Sequence, residues 1–412
     1  MGHGLRRPKL SVLDRRLAGM AWRITNDERR ARLARRHHLS PATRAATAVE
    51  VADDLVALHA TDPATVHLTV GARRAEPTVA EVERALYDER TLVRMLGMRR
   101  TVFVVPLDLV PVVQAGCSDA IAVAQRRLLL KHLSEGAGVA APDKWLDAVS
   151  EETLTALAAR GEATGTELAQ DVPGLRTRLT MSAGKPYEAT GNVTSRVLFL
   201  LAAQGRIVRG RPKGSWISSQ HRWSTVEAWR PEWPAALPPE AARVELARRW
   251  LRAYGPAPVA DLRWWTGWNA GDVKRALGGL DVAEVDLDDG GCGVVLADDV
   301  APVEPVEPWV ALLPALDPSV MGWVERGWYL GPYAPQLFDR TGNPGPTVWY
   351  CGRIVGGWAQ RTDGEIRYRL LEDVGTEAAQ RIQAAAEALG GWLGPIRVTP
   401  RFRTPLEREL SA

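Results

Sequence analysis

The 412-residue sequence has few cysteines and no long hydrophobic run. Its three cysteines, Cys117, Cys292 and Cys351, lack the paired spacing of a redox motif or a structural metal site. They are expected to be buried small hydrophobic residues, and neither a metal nor a cofactor is predicted. No run of about 18 or more apolar residues occurs, so no membrane-spanning helix is expected. The basic segment 1–9 is not followed by an apolar signal core, which favours a cytoplasmic, nucleoid-associated protein.

The net charge is also small, at +3, but the charges are unevenly distributed. Residues 1–40 contain eleven lysines and arginines against three acids, and residues 196–222 contain six bases and no acid. Residues 281–310 contain nine acids and no base. Such segregation predicts one face that binds a polyanion and another that avoids it. The alternative is that an arginine-rich composition scatters these cations over solvated faces.

The length and a hydrophobic content of 46% are typical of a soluble globular protein with roughly two to four modules. In the first predicted module, 1–135, hydrophobic periodicity predicts helices at 10–37, 46–60, 65–74 and 78–90, and a strand pair at 92–105. Thr78 and Glu81 have the spacing of a capping box at the start of the last helix. Three helices followed by a β-ribbon is the order of a winged helix-turn-helix module.

The same order recurs twice along the chain. The second predicted module, 136–228, has helices at 144–160, 164–169 and 192–204, and strands at 206–209 and 215–218 around the turn 210–214. The third, 229–300, has helices at 239–253, 259–265 and 270–277, and strands at 282–287 and 292–296. The second turn is basic and suits contact with phosphates, unless it is simply a solvated hairpin. The third turn contains two aspartates, which phosphates should repel.

From residue 301 onward, short alternating strands are separated by Gly and Pro turns. Strands are predicted at 310–313, 347–350, 353–360, 366–371 and 396–399, and a helix at 376–389. The sequence therefore predicts an α+β protein. Three tandem winged helix-turn-helix modules are followed by a C-terminal β-barrel-like domain, 301–412, closed by one helix.

The segment 58–67 contains two of the seven histidines and an Asp-Pro break. Because it follows an apolar helical pattern, His59, Thr61 and Asp62 are expected at a helix end, where side chains can converge on a pocket. Each has a structural alternative. His67 is more typical of a satisfied structural histidine, and an Asp beside Pro63 is commonly a helix N-cap or turn residue.

Cations near this segment and in the second module are the candidate DNA contacts. Arg99 and Arg100 lie in a predicted strand beside the pocket, with solvation as the alternative. The basic stretch 196–222 supplies the other candidates, which are Arg196, Arg209, Arg211 and Lys213. The tryptophans near residue 265 are expected in the core rather than stacked on bases; they are Trp264, Trp265 and Trp268.

Five stretches, taken in order, resemble the AlkZ/YcaQ superfamily of bacterial winged-helix DNA glycosylases. They are 55–63, 98–101, 261–267 (Asp-Leu-Arg-Trp-Trp-Thr-Gly), 312–318 (Leu-Leu-Pro-Ala-Leu-Asp-Pro) and 352–358. The resemblance covers nearly the whole chain. It implies three winged helices and a C-terminal β-barrel, wrapped in a C shape around a basic channel for duplex DNA. It also implies hydrolysis of the N-glycosidic bond of alkylated purines, and some members unhook interstrand crosslinks.

One motif departs from the family. The family's catalytic pair is Gln-x-Gln or Gln-x-Asp, placed where this chain has His59-Ala60-Thr61. In the family these side chains hold the attacking water and stabilise positive charge on the sugar. An alkylated purine is already a cationic leaving group, so the remaining tasks are water placement and electrostatic stabilisation. Neutral His59 can orient the water, Thr61 can hydrogen-bond it, and Asp62 can supply negative charge.

The sequence thus predicts a monomeric DNA repair glycosylase without cofactor that acts on alkylated purines in double-stranded DNA. Bulky adducts and interstrand crosslinks are further candidate substrates. The alternative is a non-catalytic winged-helix DNA-binding protein with a decayed glycosylase centre, which the loss of both family glutamines favours. A transcriptional regulator with a sensory barrel has less support, because no heptad pattern for dimerisation is present. No membrane or metal partner is expected.

Overall fold

The computed structural model describes residues 22–181 and 189–412. In its first part, four helices precede a β-hairpin. The helices are α1 Asn26–Arg36, α2 Ala48–Asp54, α3 Pro63–Gly71 and α4 Val79–Glu83, the last extended by a π-helical turn, Arg84–Asp88. The strands are β1 Arg23–Ile24, β2 Leu58–His59, β3 Leu92–Gly97 and β4 Thr101–Pro106. Strands β2, β4 and β3 form one antiparallel sheet in that order, which confirms the predicted strand pair at 92–105.

Two predictions for this part are wrong. The helix predicted at 46–60 ends at Asp54, because Val56 adopts a left-handed conformation and Leu58–His59 then pairs with β4. Within the described part of the predicted helix 10–37, a strand precedes α1; residues 10–21 of that prediction lie outside the described residues. Pairing with a neighbouring strand overrides the local helical pattern in both places.

A long helical stretch, Leu107–Ala137, leads into the second repeat of the pattern. It contains α5 Val110–Val113, a π-helical turn Gln114–Ser118 and α6 Asp119–Ala137. Length and composition alone would allow this stretch to cross a membrane, but more than half of its most apolar part is buried inside the molecule.

The second and third parts repeat the order of helices followed by a hairpin. The second part comprises α7 Pro142–Arg160, α8 Gly165–Asp171, β5 Arg178–Met181, β6 Ala189–Asn192, α9 Thr194–Ala203, β7 Ile207–Pro212, β8 His221–Thr225 and α10 Val226–Trp229. The third comprises α11 Pro239–Tyr254, α12 Val259–Thr266, α13 Ala270–Gly278, β9 Val282–Leu287 and β10 Cys292–Leu296. Short 3-10 helices lie at Pro41–Thr43, Met98–Arg100, Leu107–Leu109, Pro173–Arg176 and Ala297–Asp299. The β5–β6 hairpin was not expected from the sequence.

The β7–β8 hairpin, called the second hairpin below, differs from the hairpin predicted at 206–218 in one strand. The partner of β7 is His221–Thr225 rather than the predicted strand at 215–218. The reason is Trp216, which is only 7% exposed and packs against His67 and Trp392 at ring distances of 4.8 and 6.2 Å. Burial of this side chain holds the segment in the hydrophobic core instead of in the β-ladder.

The C-terminal part is an open sheet rather than the predicted barrel. Its elements are β11 Val310–Leu313, α14 Pro318–Met321, α15 Gly327–Leu330, α16 Ala334–Leu337, β12 Thr347–Tyr350, β13 Arg353–Gln360, β14 Ile366–Leu370, α17 Thr376–Leu393 and α18 Pro405–Ser411. The four strands pair in sequence order, and the sheet does not close on itself within the described residues. Helix α17 packs on β11 and β14, and α18 on β13.

The strand predicted at 396–399 is irregular. The side chain of Gln360 replaces a β-ladder there, since its Oε1 accepts from the Val398 N–H at 2.8 Å and its Nε2 donates to the Ile396 carbonyl at 3.1 Å. These bonds satisfy a backbone that has no neighbouring strand.

The basic N-terminal helix α1 joins the first part of the chain to later parts. Arg32 is 1% exposed and bonds Glu28, the Asp299 carboxylate and the Ala301 carbonyl. Arg36 pairs with Asp299 at 2.7 Å, and the Asp288 carboxylate accepts from Arg23 and from the backbone N–H of Asn26. Strand β1 also pairs in parallel with β9 of the third hairpin. Part of the basic segment therefore contacts the acidic segment 281–310 of the same chain.

Candidate nucleic-acid interface and catalytic segment

The segment predicted to be catalytic lies between β2 and α3. Asp62 caps α3, and its Oδ1 accepts from the Ala64 N–H at 3.1 Å. Its Oδ2 accepts from the backbone N–H of Arg401 at 3.0 Å, which ties the segment to the C-terminal part. Burial raises the pKa of the Asp62 carboxyl, partly offset by these bonds. The segment thus precedes a helix, whereas the sequence analysis placed it after one.

His59 is held as a neutral imidazole. It is 5% exposed and lies edge-on to Phe103 of the adjacent strand, at 5.3 Å between rings. Burial lowers its pKa to about 3, and the positive charge of Arg99 acts in the same direction. Its Nδ1 is buried and has no hydrogen-bond partner among the described residues. An imidazole in this state can accept or donate one more hydrogen bond but carries no charge at neutral pH.

The pleat of the β2–β4–β3 sheet separates two sets of side chains. His59, Phe103 and Met95 lie in one cross-strand row, and Leu58, Val104 and Arg94 lie in the next. Because neighbouring rows point to opposite faces, His59 and Arg94 project from opposite sides of one small sheet. Thr61, half-buried, follows β2 directly.

Arg99 and Arg100 occupy the tip of the β3–β4 hairpin, not a strand as predicted. Both adopt left-handed conformations, with φ of 53° and 59°, which disfavour side chains other than glycine, asparagine and aspartate. The guanidinium carbon of Arg99 lies 4.0 Å from the ring centre of Trp264, a residue of helix α12. Burial, followed by the charge of Arg326, lowers the pKa of Arg99 to about 10, so it stays cationic. This packing holds the turn in its strained conformation.

A cleft of about 1010 Å³ lies beside this hairpin tip. It brings together four of the six predicted DNA contacts, which are Arg100, Arg196, Arg209 and Lys213. Arg222 is a fifth cation, and Glu167 is the single acid in its lining. Glu167 is already bonded to the N–H and hydroxyl of Thr164 in a capping box. The cleft therefore has a marked excess of positive charge.

The other two predicted DNA contacts do not line the cleft. Arg99 stacks on Trp264 as described, and Arg211 pairs with Asp88 at 2.9 Å and with Glu83 at 3.5 Å. Arg211 also lies over the Tyr87 ring at 4.8 Å. These ion pairs join the second hairpin to the first part of the chain.

Two residues of this region were missed in the sequence analysis. Arg94 is 3% exposed in the otherwise apolar strand β3, and its Nη1 donates to Nδ1 of His221 at 3.1 Å. His221 lines the cleft, and burial, reinforced by the charges of Arg94 and Arg209, lowers its pKa to about 3. The only sequence signal was a single arginine in an apolar strand, which says nothing about its partner.

One group of potential metal ligands occurs in the described part of the chain, at His38, Glu50 and Asp54. Both ring nitrogens of His38 already have partners, the Thr43 carbonyl at 2.6 Å and the Asp54 carboxylate at 2.7 Å. Two acceptors require both nitrogens to donate, so His38 is an imidazolium here and has no lone pair for a metal.

A family model matches most of the chain, and a solved structure shares its fold. The family model described as DNA glycosylase AlkZ-like matches residues 52–392. Among solved structures, the Streptomyces sahachiroi DNA glycosylase AlkZ is similar in fold, with a TM-score of 0.71 and 20% sequence identity. That match covers 92% of this chain and 99% of the other. No curated protein sequence matched the chain.

Proposed function

This chain belongs to the AlkZ-like DNA glycosylase family, and we propose that it hydrolyses the N-glycosidic bond of alkylated purines in duplex DNA. The basic cleft is the observation that carries the proposal for this chain's own residues. Five lysines and arginines line it with a single, already bonded carboxylate. Such a surface neutralises several backbone phosphates and releases their counterions.

The proposed chemistry needs no acid and no cofactor. An N7- or N3-alkylated purine leaves as a neutral base once the glycosidic bond breaks, because it is cationic beforehand. The protein then has to hold a water and stabilise an oxocarbenium-like sugar. We assign the water to Nδ1 of His59 and the hydroxyl of Thr61, while Asp62 fixes the geometry of the segment through its two backbone bonds.

Release of free base is the direct test. Full-length protein is incubated with duplexes containing one N7-methylguanine, a bulky N7 adduct or an interstrand crosslink, and chromatography measures the freed base and the abasic site. We expect release from at least one substrate. No release from any of them would refute the enzyme and leave a non-catalytic DNA-binding protein.

Variants of the catalytic segment test the residue assignments. We expect His59→Ala and Thr61→Ala each to lower base release by about 10²-fold or more, since removal of a water-positioning group costs that much. His67→Ala is the matched control for loss of a buried imidazole, because His67 is equally buried and also has a pKa near 3. Since His67 packs on Trp216, base release is compared at saturating DNA. Because His59 stays neutral down to about pH 3, base release should not fall as pH drops through 6.5. Unchanged release in His59→Ala and Thr61→Ala would place catalysis elsewhere.

A further inference from the structure

Arg94 is a buried guanidinium with unused hydrogen-bonding capacity. Its Nη1 bonds His221, but its Nε and Nη2 are buried without a partner among the described residues. The hydroxyl of neighbouring Tyr87 is also buried without a hydrogen-bond partner among the described residues. Buried donors are nearly always paired in folded proteins, so the free nitrogens of Arg94 are candidates to bind an acceptor.

The charge of Arg94 acts on two other groups of this region, Arg209 and His221. The charges of Arg94 and Arg401 both act on Arg209, and those of Arg94 and Arg209 both act on His221. Asp62 is the carboxylate whose charge acts on Arg94, and both its oxygens already accept from backbone N–H groups. Arg94 and Arg401 thus interact electrostatically with Asp62, and both interact with Arg209, so the group carries about two more positive than negative charges.

The cluster reaches the cleft through strand β7. Arg209 and His221 line the cleft, and β7 packs against β3, which carries Arg94. Arg209 lies over Trp223 at 5.1 Å, and this stacking fixes its guanidinium plane. An anion in the cleft would meet Arg209 and His221 first, with Arg94, which does not itself line the cleft, behind His221.

We propose that Arg94, Arg209 and Arg401, with His221, form a pocket for one phosphodiester of the bound DNA. A phosphodiester carries one negative charge and two exposed oxygens, which suit the charge excess and the unused donors. Arg94 lies one cross-strand row from His59 in the β2–β4–β3 sheet. Because Arg94 and His59 project from opposite faces of this sheet, a phosphate held there would lie on the Asp62 side of the candidate catalytic segment and not beside the His59 ring. The identity of the ligand rests on the proposed function.

The first experiment uses inorganic phosphate as the probe. Thermal unfolding of the full-length protein is followed in phosphate and in chloride at equal ionic strength. We expect phosphate to raise the midpoint saturably, by about 2 °C. The rise should be lost in Arg94→Met, Arg209→Gln and Arg401→Gln. Arg206→Gln should retain it, because Arg206 pairs with Glu151 at 3.3 Å and does not line the cleft. An equal rise in all variants would refute the pocket.

The second experiment identifies the DNA phosphate. Single methylphosphonate linkages, which are uncharged, are placed in turn along each strand of a duplex, and binding is measured. We expect one linkage to weaken wild-type binding by roughly tenfold, because a charged hydrogen-bonded contact is lost. The same linkage should have less than about a twofold effect in Arg209→Gln and Arg94→Met.

These readouts separate the pocket from the catalytic proposal. If no linkage couples to Arg94 or Arg209, the phosphodiester assignment is wrong even where base release is observed. If coupling is found without any base release, the pocket stands and the glycosylase reaction fails. Arg94→Met removes a buried cation and could prevent folding. In that case the variants of the partly exposed Arg209 and the exposed Arg401 decide the test.

Discussion

Arg100 combines a strained backbone with a position in the basic cleft. Its left-handed φ of 59° costs a side chain that is not glycine about 1 kcal/mol or more, and its neighbour Arg99 is strained in the same way. Two consecutive strained arginines persist because Arg99 is held against Trp264. Strain of this kind is commonly retained where the side chain has a function.

Replacement of this residue should separate stability from DNA binding. We expect Arg100→Gly to leave the free energy of unfolding unchanged or to raise it by up to about 1 kcal/mol, because the strain is relieved. Duplex affinity should fall, and the slope of log K against log salt should decrease by about 0.9, the value for one phosphate contact. Urea unfolding and a salt series of duplex binding measure the two effects.

Arg100→Ala is the control, since it removes the charge but keeps the strained backbone. It should lose affinity to the same extent without any gain in stability. Unchanged affinity and salt slope in both variants would show that Arg100 does not contact the DNA backbone.

At the residue scale, sequence patterns located the neighbourhood of the site better than its geometry. The Asp62-Pro63 pair predicted an N-cap as one alternative, because that role depends only on adjacent residues. The neutral state of His59 depends on burial against Phe103 and on the charge of Arg99, some forty residues later in the chain. Arg94 was missed for the same reason, since its partner His221 belongs to another hairpin.

At the scale of elements, the tip of the second hairpin is held in place by the packing of Trp216. The tip carries Lys213 into the cleft and buries Trp216 between His67 and Trp392. The hairpin is thereby fixed to the first part of the chain and to helix α17. A hairpin fixed at its tip presents its cations without a large loss of conformational entropy on binding.

Loss of this anchor should weaken both the fold and DNA binding. We expect Trp216→Ala to lower the free energy of unfolding by about 3–5 kcal/mol, the usual cost of truncating a buried tryptophan. Duplex affinity of the remaining folded protein should also fall. Trp22→Ala is the control, because Trp22 is 37% exposed and its removal should cost less than about 0.5 kcal/mol. A loss below about 1 kcal/mol for Trp216→Ala would contradict the anchoring role.

Elements with local signals were predicted well, and those set by distant contacts were not. Helix α8 begins at a Thr164–Glu167 capping box, and the β3 and β4 strands are apolar runs on either side of a basic turn. Both features are visible in the sequence. The open C-terminal sheet and the irregular segment at 396–399 depend on which strands pair and on the Gln360 side chain. No local pattern encodes such pairing choices.

For the whole molecule, the segregated charge has two different explanations. Described cations of the N-terminal segment contact the acidic segment 281–310, as in the Arg36–Asp299 pair. Four of the six cations of 196–222 instead line the cleft, whereas Arg206 and Arg211 pair with acids outside it. Only the second group fits the predicted surface for a polyanion. Net charge along the sequence cannot distinguish an internal contact from a binding surface.

A buried ion pair joins the first and C-terminal parts of the chain. Arg73 and Asp317 are both 0% exposed and form two bonds, of 2.9 and 2.7 Å. Arg73 also donates to the Thr69 carbonyl and the Ser319 hydroxyl. Because this buried network joins the two parts, it should determine how far they unfold together.

We expect Arg73→Met to lower the free energy of unfolding by about 3–5 kcal/mol, because it leaves the Asp317 charge buried without its partner. The double variant Arg73→Met/Asp317→Asn should recover part of that loss, since no uncompensated charge remains. The exposed pair of Arg126 and Asp143, at 2.8 Å, gives the control, and Arg126→Met should cost less than about 1 kcal/mol. Urea denaturation measures all three variants. An equal cost for Arg73→Met and Arg126→Met would mean that hydrophobic packing alone joins the two parts.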